Sequence, residues 1–169
     1  MDRRTAVAFA TVLVGSGFVL GSSALAQPTS VKDQLSGSWI FVSSTTQAED
    51  GSPFWGANPK GLVIFTANGR YSTHLMRSDR PKFSANSRTK GTPEENKAAV
   101  LGNISSFGTY TVDEDKKTFT IRFEGSTYPN LEGTVQTRPF EIVGDELRVT
   151  NPAPTAGGPP SHIVYRRDK

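Results

Sequence analysis

The sequence contains no cysteine. That excludes disulfides, thiolate metal ligands, a cysteine nucleophile and a lipid-modified cysteine anchor, and leaves packing alone to hold the fold. Histidine is scarce as well. His74 and His162 are the only two. They fall on separate strand-like runs, and neither belongs to a His-x-Glu or His-Glu-x-x-His motif, so no metal site is expected. There is no Gly-x-Ser-x-Gly elbow and no phosphate loop. Acidic pairs occur only in turns and at a helix start, where capping and solvation account for them, and no catalytic residue or cofactor is predicted. Net charge is small as well: the value of +3 is too low to argue for nucleic acid.

Long hydrophobic runs are missing except at the start. Arg3 and Arg4 precede the apolar stretch from Ala6 to Leu20, and Ala24-Leu25-Ala26 forms an A-x-A cleavage signature before Gln27. These features predict a secretory signal peptide over residues 1–26 and an exported protein, periplasmic or secreted. The apolar run is shorter than the ~20 residues of a spanning helix, so no stable membrane insertion is expected after cleavage. Loss of Asp2, Arg3 and Arg4 would take the net charge from +3 to +2 and leave residues 27–169 as one domain.

Helical periodicity is rare in that domain, and strand signals are common. Apolar–polar alternation recurs between short turns, as in Phe119, Ile121 and Phe123 set between Thr118, Thr120, Arg122 and Glu124. Asn68-Gly69 marks a tight hairpin, and Gly144-Asp145 another. Eight strands are predicted, at about 38–45, 61–66, 70–77, 104–112, 118–124, 133–143, 146–150 and 161–167. The segment from Thr92 to Gly102 reads as a helix between the third and fourth strands. Thr92 caps it, Pro93 fits the first turn, Glu95 completes a capping box and Gly102 stops it. The fold class is therefore mostly β: an eight-stranded, up-and-down antiparallel barrel with one short helix, a two-sheet sandwich being the alternative.

Gly37-x-Trp39, at the start of the first strand, resembles the signature of lipocalins. Segments spread over residues 33–167 resemble, more closely, the bacterial and fungal lipocalin-like domain family. They include Asn58-Pro59-Lys60-Gly61, Asn68-Gly69-Arg70-Tyr71-Ser72, Gly91-Thr92-Pro93-Glu94-Glu95, Phe107-Gly108-Thr109-Tyr110, Pro129-Asn130-Leu131-Glu132-Gly133 and Gly144-Asp145-Glu146-Leu147. The resemblance implies a calycin-like barrel with a cavity. It also implies that Trp39 packs across the closed end beneath a late arginine, for which Arg166 and Arg167 are the counterparts. The helix lies between the third and fourth strands here and after the last strand in ordinary lipocalins, so pocket residues of that superfamily are not carried over.

The expected ligand is a small hydrophobic or amphipathic molecule, with an anionic head group as one option. Inward candidates for binding it are Phe41, Phe65, Tyr71, Leu75, Tyr110, Phe119, Ile121 and Phe123. Residues 47–60 form a long connection in which Phe54-Trp55 offers an aromatic lid or a packed satellite of the core. Residues 77–90 hold five basic side chains against one acid, and Arg80 there is a candidate for meeting an anion at the mouth. Alternation turns Tyr71 and Leu75 to one face of the third strand and His74 to the other. Two further functions remain open. One is a cofactor-free isomerase or cyclase using Tyr71, His74, Tyr110 or Arg122. The other is an envelope interaction module with a filled barrel, meeting a protein partner through the Trp55 and Arg80 loops.

Overall fold

The computed structural model describes residues 30–169. The predicted signal peptide, residues 1–26, lies outside the described residues. The rest forms a closed barrel of eight antiparallel strands in sequence order, not a two-sheet sandwich. The strands are β1 (Gly37–Ser44), β2 (Lys60–Phe65), β3 (Arg70–Met76), β4 (Asn103–Asp113), β5 (Thr118–Ser126), β6 (Val135–Val143), β7 (Glu146–Asn151) and β8 (Ser161–Arg167). β8 pairs back onto β1 with Trp39 opposite Arg167, which leaves no free edge.

Two helices accompany the barrel. Helix α1 (Val31–Leu35) precedes β1, and the Ser30 side chain caps it by accepting from the Asp33 N–H. Its apolar–polar spacing gave no sign of a helix, because five residues are too few to show a period. Helix α2 (Pro93–Leu101) lies between β3 and β4, where it was expected, with the Thr92–Glu95 capping box formed. A single 3₁₀ turn, Pro129–Leu131, breaks the β5–β6 connection.

Alternation sorts each strand into an inner and an outer row, and the inner row at one end is almost wholly aromatic. The Phe65 ring lies 5.6 Å from Tyr71, 5.0 Å from Tyr110 and 5.1 Å from Phe119, centroid to centroid. Phe119 continues to Phe140 at 5.5 Å. Below them α1 closes the barrel. Trp39 is fully buried and donates its indole N–H to the Leu35 carbonyl at 2.8 Å. The Arg167 guanidinium stacks over Trp39 at 4.0 Å from the ring centroid and donates to the carbonyls of Ser36 and Gln34. Arg166, next along β8, is exposed. Such a cation–π contact contributes about 1 kcal/mol or more when desolvated. Gly37 adopts a φ of +125°, which a side chain resists, and this lets the chain leave α1 and drop Trp39 into the barrel floor.

Two irregularities re-aim side chains. In β1, Phe41 pairs with Tyr165 but Ser43 pairs with Val164, so Val42 bulges out and is half exposed. The bulge resets the alternation and turns Ser44, rather than Ser43, toward the interior. In β4–β5 the register shifts between Phe107 and Gly108. There a Cβ on Gly108 would sit 2.0 Å from the Arg122 carbonyl oxygen, an approach only glycine permits.

Candidate functional site

The opposite end of the barrel is built differently. The inner row there sets small polar side chains, Ser44 and Thr46 from β1 and its continuation, Thr73 from β3 and Ser106 from β4, among larger apolar ones such as Leu75, Ile104, Phe123 and Ile163. They enclose a cavity of about 60 Å³ above the aromatic layer. That is room for a few water molecules or a small functional group, well short of the several hundred Å³ of a typical ligand site. Among the described residues three polar side chains are buried, Ser106, Asn151 and Ser161, and all three line this cavity. The Ser161 hydroxyl is 2% exposed and has no hydrogen-bond partner. Leaving such a group unsatisfied costs about 1–3 kcal/mol.

One formal charge faces the cavity. Arg138 occupies the inner row of β6 in alternation with Gln136, Phe140 and Ile142, and is partly buried. Its Nε and Nη2 donate to the Gln136 side-chain oxygen at 3.3 and 2.8 Å. No aspartate or glutamate lines the cavity, and Arg138 forms no salt bridge with any described residue. Tyr165 forms part of the floor and packs edge-on to Phe41 at 5.9 Å. Burial pushes its phenol well above the ordinary tyrosine range, and Tyr71 adds to the effect. Arg138 and a hydrogen bond with Thr73 pull less strongly the other way. The phenol therefore stays protonated at neutral pH.

Two connections cover the mouth. Residues 45–59 fold back on themselves through a bridge between Gln47 and Pro53, and the Phe54 N–H donates to the Thr46 carbonyl at 3.0 Å. This strap delivers Trp55 into the cavity wall, 9% exposed and edge-on to Phe54 at 5.0 Å. Arg77, just past β3, pins the strap by donating to the Phe54 carbonyl at 2.9 Å, and its own fork is held by Asp79. The second cover is the β7–β8 connection, whose Pro154, Thr155 and Ala156 line the cavity and whose Gly157 and Gly158 take positive φ. An open cleft of about 930 Å³ runs between the two covers and shares Thr46 and Ala156 with the cavity beneath.

The residues singled out from the sequence separate into three groups. Trp55, Tyr71, Leu75 and Phe123 line the cavity. Phe41, Phe65, Tyr110, Phe119 and Ile121 are buried in the packed interior without lining it, because their positions along the strands lie nearer the closed end. The Tyr110 hydroxyl, for one, points at the closed-end Thr66 carbonyl, 2.9 Å away. Arg80 lies outside the barrel. Its Nε donates to the Arg77 carbonyl at 2.9 Å, and it shares a surface groove with Phe54, Ala98 and Leu101. His74 is exposed on the outer face between the hydroxyls of Ser72 and Ser105.

Sequence reasoning missed Arg138, Asn151 and Ser161. For Arg138 a signal was present: it stands at the alternating position of Phe140 and Ile142, a cation on an apolar face. Among the described residues no group of three histidine, aspartate or glutamate side chains could hold a metal ion. What the cavity offers chemically is one cation, several hydroxyls and one phenol beside aromatic and aliphatic walls.

A family model described as a lipocalin-like domain matches residues 36–162, from the approach to β1 into the start of β8. No curated protein matches the chain.

Proposed function

The chain belongs to the lipocalin-like domain family, and from that premise we propose that it is an exported carrier which binds a small amphipathic molecule at the open end of the barrel without transforming it. The observation that carries this reading is the placement of every buried polar side chain among the described residues around one cavity. Folding alone gives no reason to gather them there, since each is costly to bury without a partner. The apolar part of the ligand would lie against Trp55, Leu75 and Phe123. Because the cavity holds only about 60 Å³, entry requires Trp55 and the Pro154–Ala156 segment to move aside, widening the cavity into the cleft above it. Export rests on the signal-peptide pattern of residues 1–26.

Two observations favour other readings. Tyr165, a buried phenol held protonated, is the group a cofactor-free isomerase would use as a neutral hydrogen-bond donor to its substrate. Val100 and Leu101, exposed on α2, are where an interaction module would present apolar surface. Native mass spectrometry of the protein purified from its own host, followed by organic extraction, separates the three. A co-purifying small molecule recovered unchanged after incubation supports the carrier, and one recovered as a rearranged product supports the isomerase. A bare protein mass, with no uptake of octanoate or octan-1-ol, overturns the carrier in favour of a protein partner.

A further inference from the structure

We propose that the cavity is built for a carboxylate: Arg138 and the Ser161 hydroxyl together hold the acid group of a small monocarboxylic ligand whose apolar part extends beneath Trp55. The inference rests on the carrier reading above and specifies its ligand.

Three observations on different strands converge on it. The first is electrostatic. Arg138 points into a cavity with no acidic side chain, and its one side-chain hydrogen-bond acceptor is the neutral oxygen of Gln136. A guanidinium has five N–H donors in a planar fork, so a single amide oxygen leaves most of them for another acceptor. A partly buried cation without a counter-ion is destabilising, and a bound carboxylate supplies the missing charge through paired N–H···O contacts. The second is the Ser161 hydroxyl, buried in the same wall with no partner. A hydroxyl in this state is satisfied when a ligand oxygen accepts from it.

The third is register. Ser161 pairs with Asn151 across β7–β8, and Phe140 pairs with Val149 across β6–β7. Arg138 lies two residues before Phe140, and Asn151 lies two residues after Val149. Antiparallel pairing thus brings Arg138, Asn151 and Ser161 toward one row across three adjacent strands, on the inner face. The Asn151 side-chain oxygen is already engaged with the Ala153 N–H at 3.3 Å. That leaves Arg138 and Ser161 as the two donors.

The single positive charge selects the ligand class. A carboxylate brings one negative charge and two oxygens matching the guanidinium fork, whereas a phosphate dianion would leave an unpaired negative charge in an enclosed space. The cavity, about 60 Å³, fits a head group of that size. The hydrocarbon then has Trp55 on one side and the cleft between the two covers as its way out.

The test uses octanoate against its neutral analogue octan-1-ol, titrated at pH 7 by calorimetry with the mature protein and with Arg138→Gln, Arg138→Lys, Ser161→Ala and Arg80→Gln variants. The wild type is expected to bind octanoate at least tenfold more tightly than octan-1-ol. Arg138→Gln should abolish that preference while keeping octan-1-ol binding, Arg138→Lys should retain part of it, and Ser161→Ala should weaken octanoate several-fold. Arg80→Gln should change neither ligand. If Arg138→Gln fails to fold, Arg138→Lys and Ser161→Ala carry the test, because both preserve the volume of the site more closely. Equal binding of the two ligands by the wild type, or a preference that survives Arg138→Gln, overturns the carboxylate site and leaves the carrier reading standing. Binding of neither ligand overturns both.

Discussion

The two ends of this barrel are made from the same eight strands and differ in what occupies the inner row. At the closed end the inner row is aromatic, the rings meet edge to face around Phe65, and the one charge present, Arg167, lies over Trp39 with backbone carbonyls as acceptors. At the open end hydroxyl-bearing side chains are set among aromatic and aliphatic ones, a hydroxyl is left without a partner, and the one charge, Arg138, has only a neutral amide oxygen. An arginine at each end thus serves opposite purposes. Arg167 caps a packed interior, whereas Arg138 faces a space that the protein does not fill. Stability is concentrated where the packing is complete, and the proposed binding site lies where it is left incomplete.

The largest effect that could break this contrast is a truncation at the closed end. Phe119→Ala removes a ring that touches both Phe65 and Phe140 and is 1% exposed. It should cost about 3–5 kcal/mol of unfolding free energy, a fall of roughly 10 °C in Tm. Thermal unfolding followed by circular dichroism checks it. Octanoate affinity measured below the transition should fall far less than stability, because Phe119 pairs with Arg138 across β5–β6 but does not line the cavity. A large loss of affinity in a folded Phe119→Ala protein would mean that the two ends are not separable.

A smaller, pH-dependent effect marks the boundary between the ends, where Tyr165 sits. Its phenol is pushed above the ordinary range by burial, so the folded state keeps a proton that the unfolded chain releases near pH 10. The contribution of that proton is fully present below about pH 10 and is lost as pH rises through and beyond it, at up to about 1.4 kcal/mol per pH unit. Urea midpoints from pH 8 to 11 should therefore fall more steeply for the wild type than for Tyr165→Phe, while below pH 9 the two curves run parallel. Parallel curves throughout would show that Tyr165 is not shielded from water, and that the cavity floor is open.

The difference between the ends also explains how much was legible in the sequence. The alternation of Phe119, Ile121 and Phe123, the Asn68-Gly69 turn and the Thr92–Glu95 capping box are local signals, and local hydrogen bonding and burial were enough to realise them. The closed end was legible through the family resemblance, which implied that Trp39 packs beneath a late arginine, the place that Arg167 takes. The open end depends on features whose local signature is weak or misleading. The bulge at Val42 moves the inward position to Ser44, and simple alternation assigns that position to Ser43. Arg80 was placed at the mouth on charge alone, but its loop turns back to donate to the Arg77 carbonyl and runs toward α2 instead. Arg138 escaped notice because a lone charge in a strand normally faces water. Only the pairing of β6, β7 and β8 brings it toward the row of Asn151 and Ser161.

The protein's two tryptophans provide the most direct test, since one stands at each end: Trp39 in the floor, bound to the Leu35 carbonyl, and Trp55 in the mouth. Their indole N–H groups give two separate signals in a ¹H–¹⁵N correlation spectrum of residues 27–169. Titration with octanoate should shift the Trp55 signal progressively to saturation and leave the Trp39 signal in place. A ligand-induced shift of Trp39 with Trp55 unmoved, or no shift of either, would contradict a binding site confined to the open end.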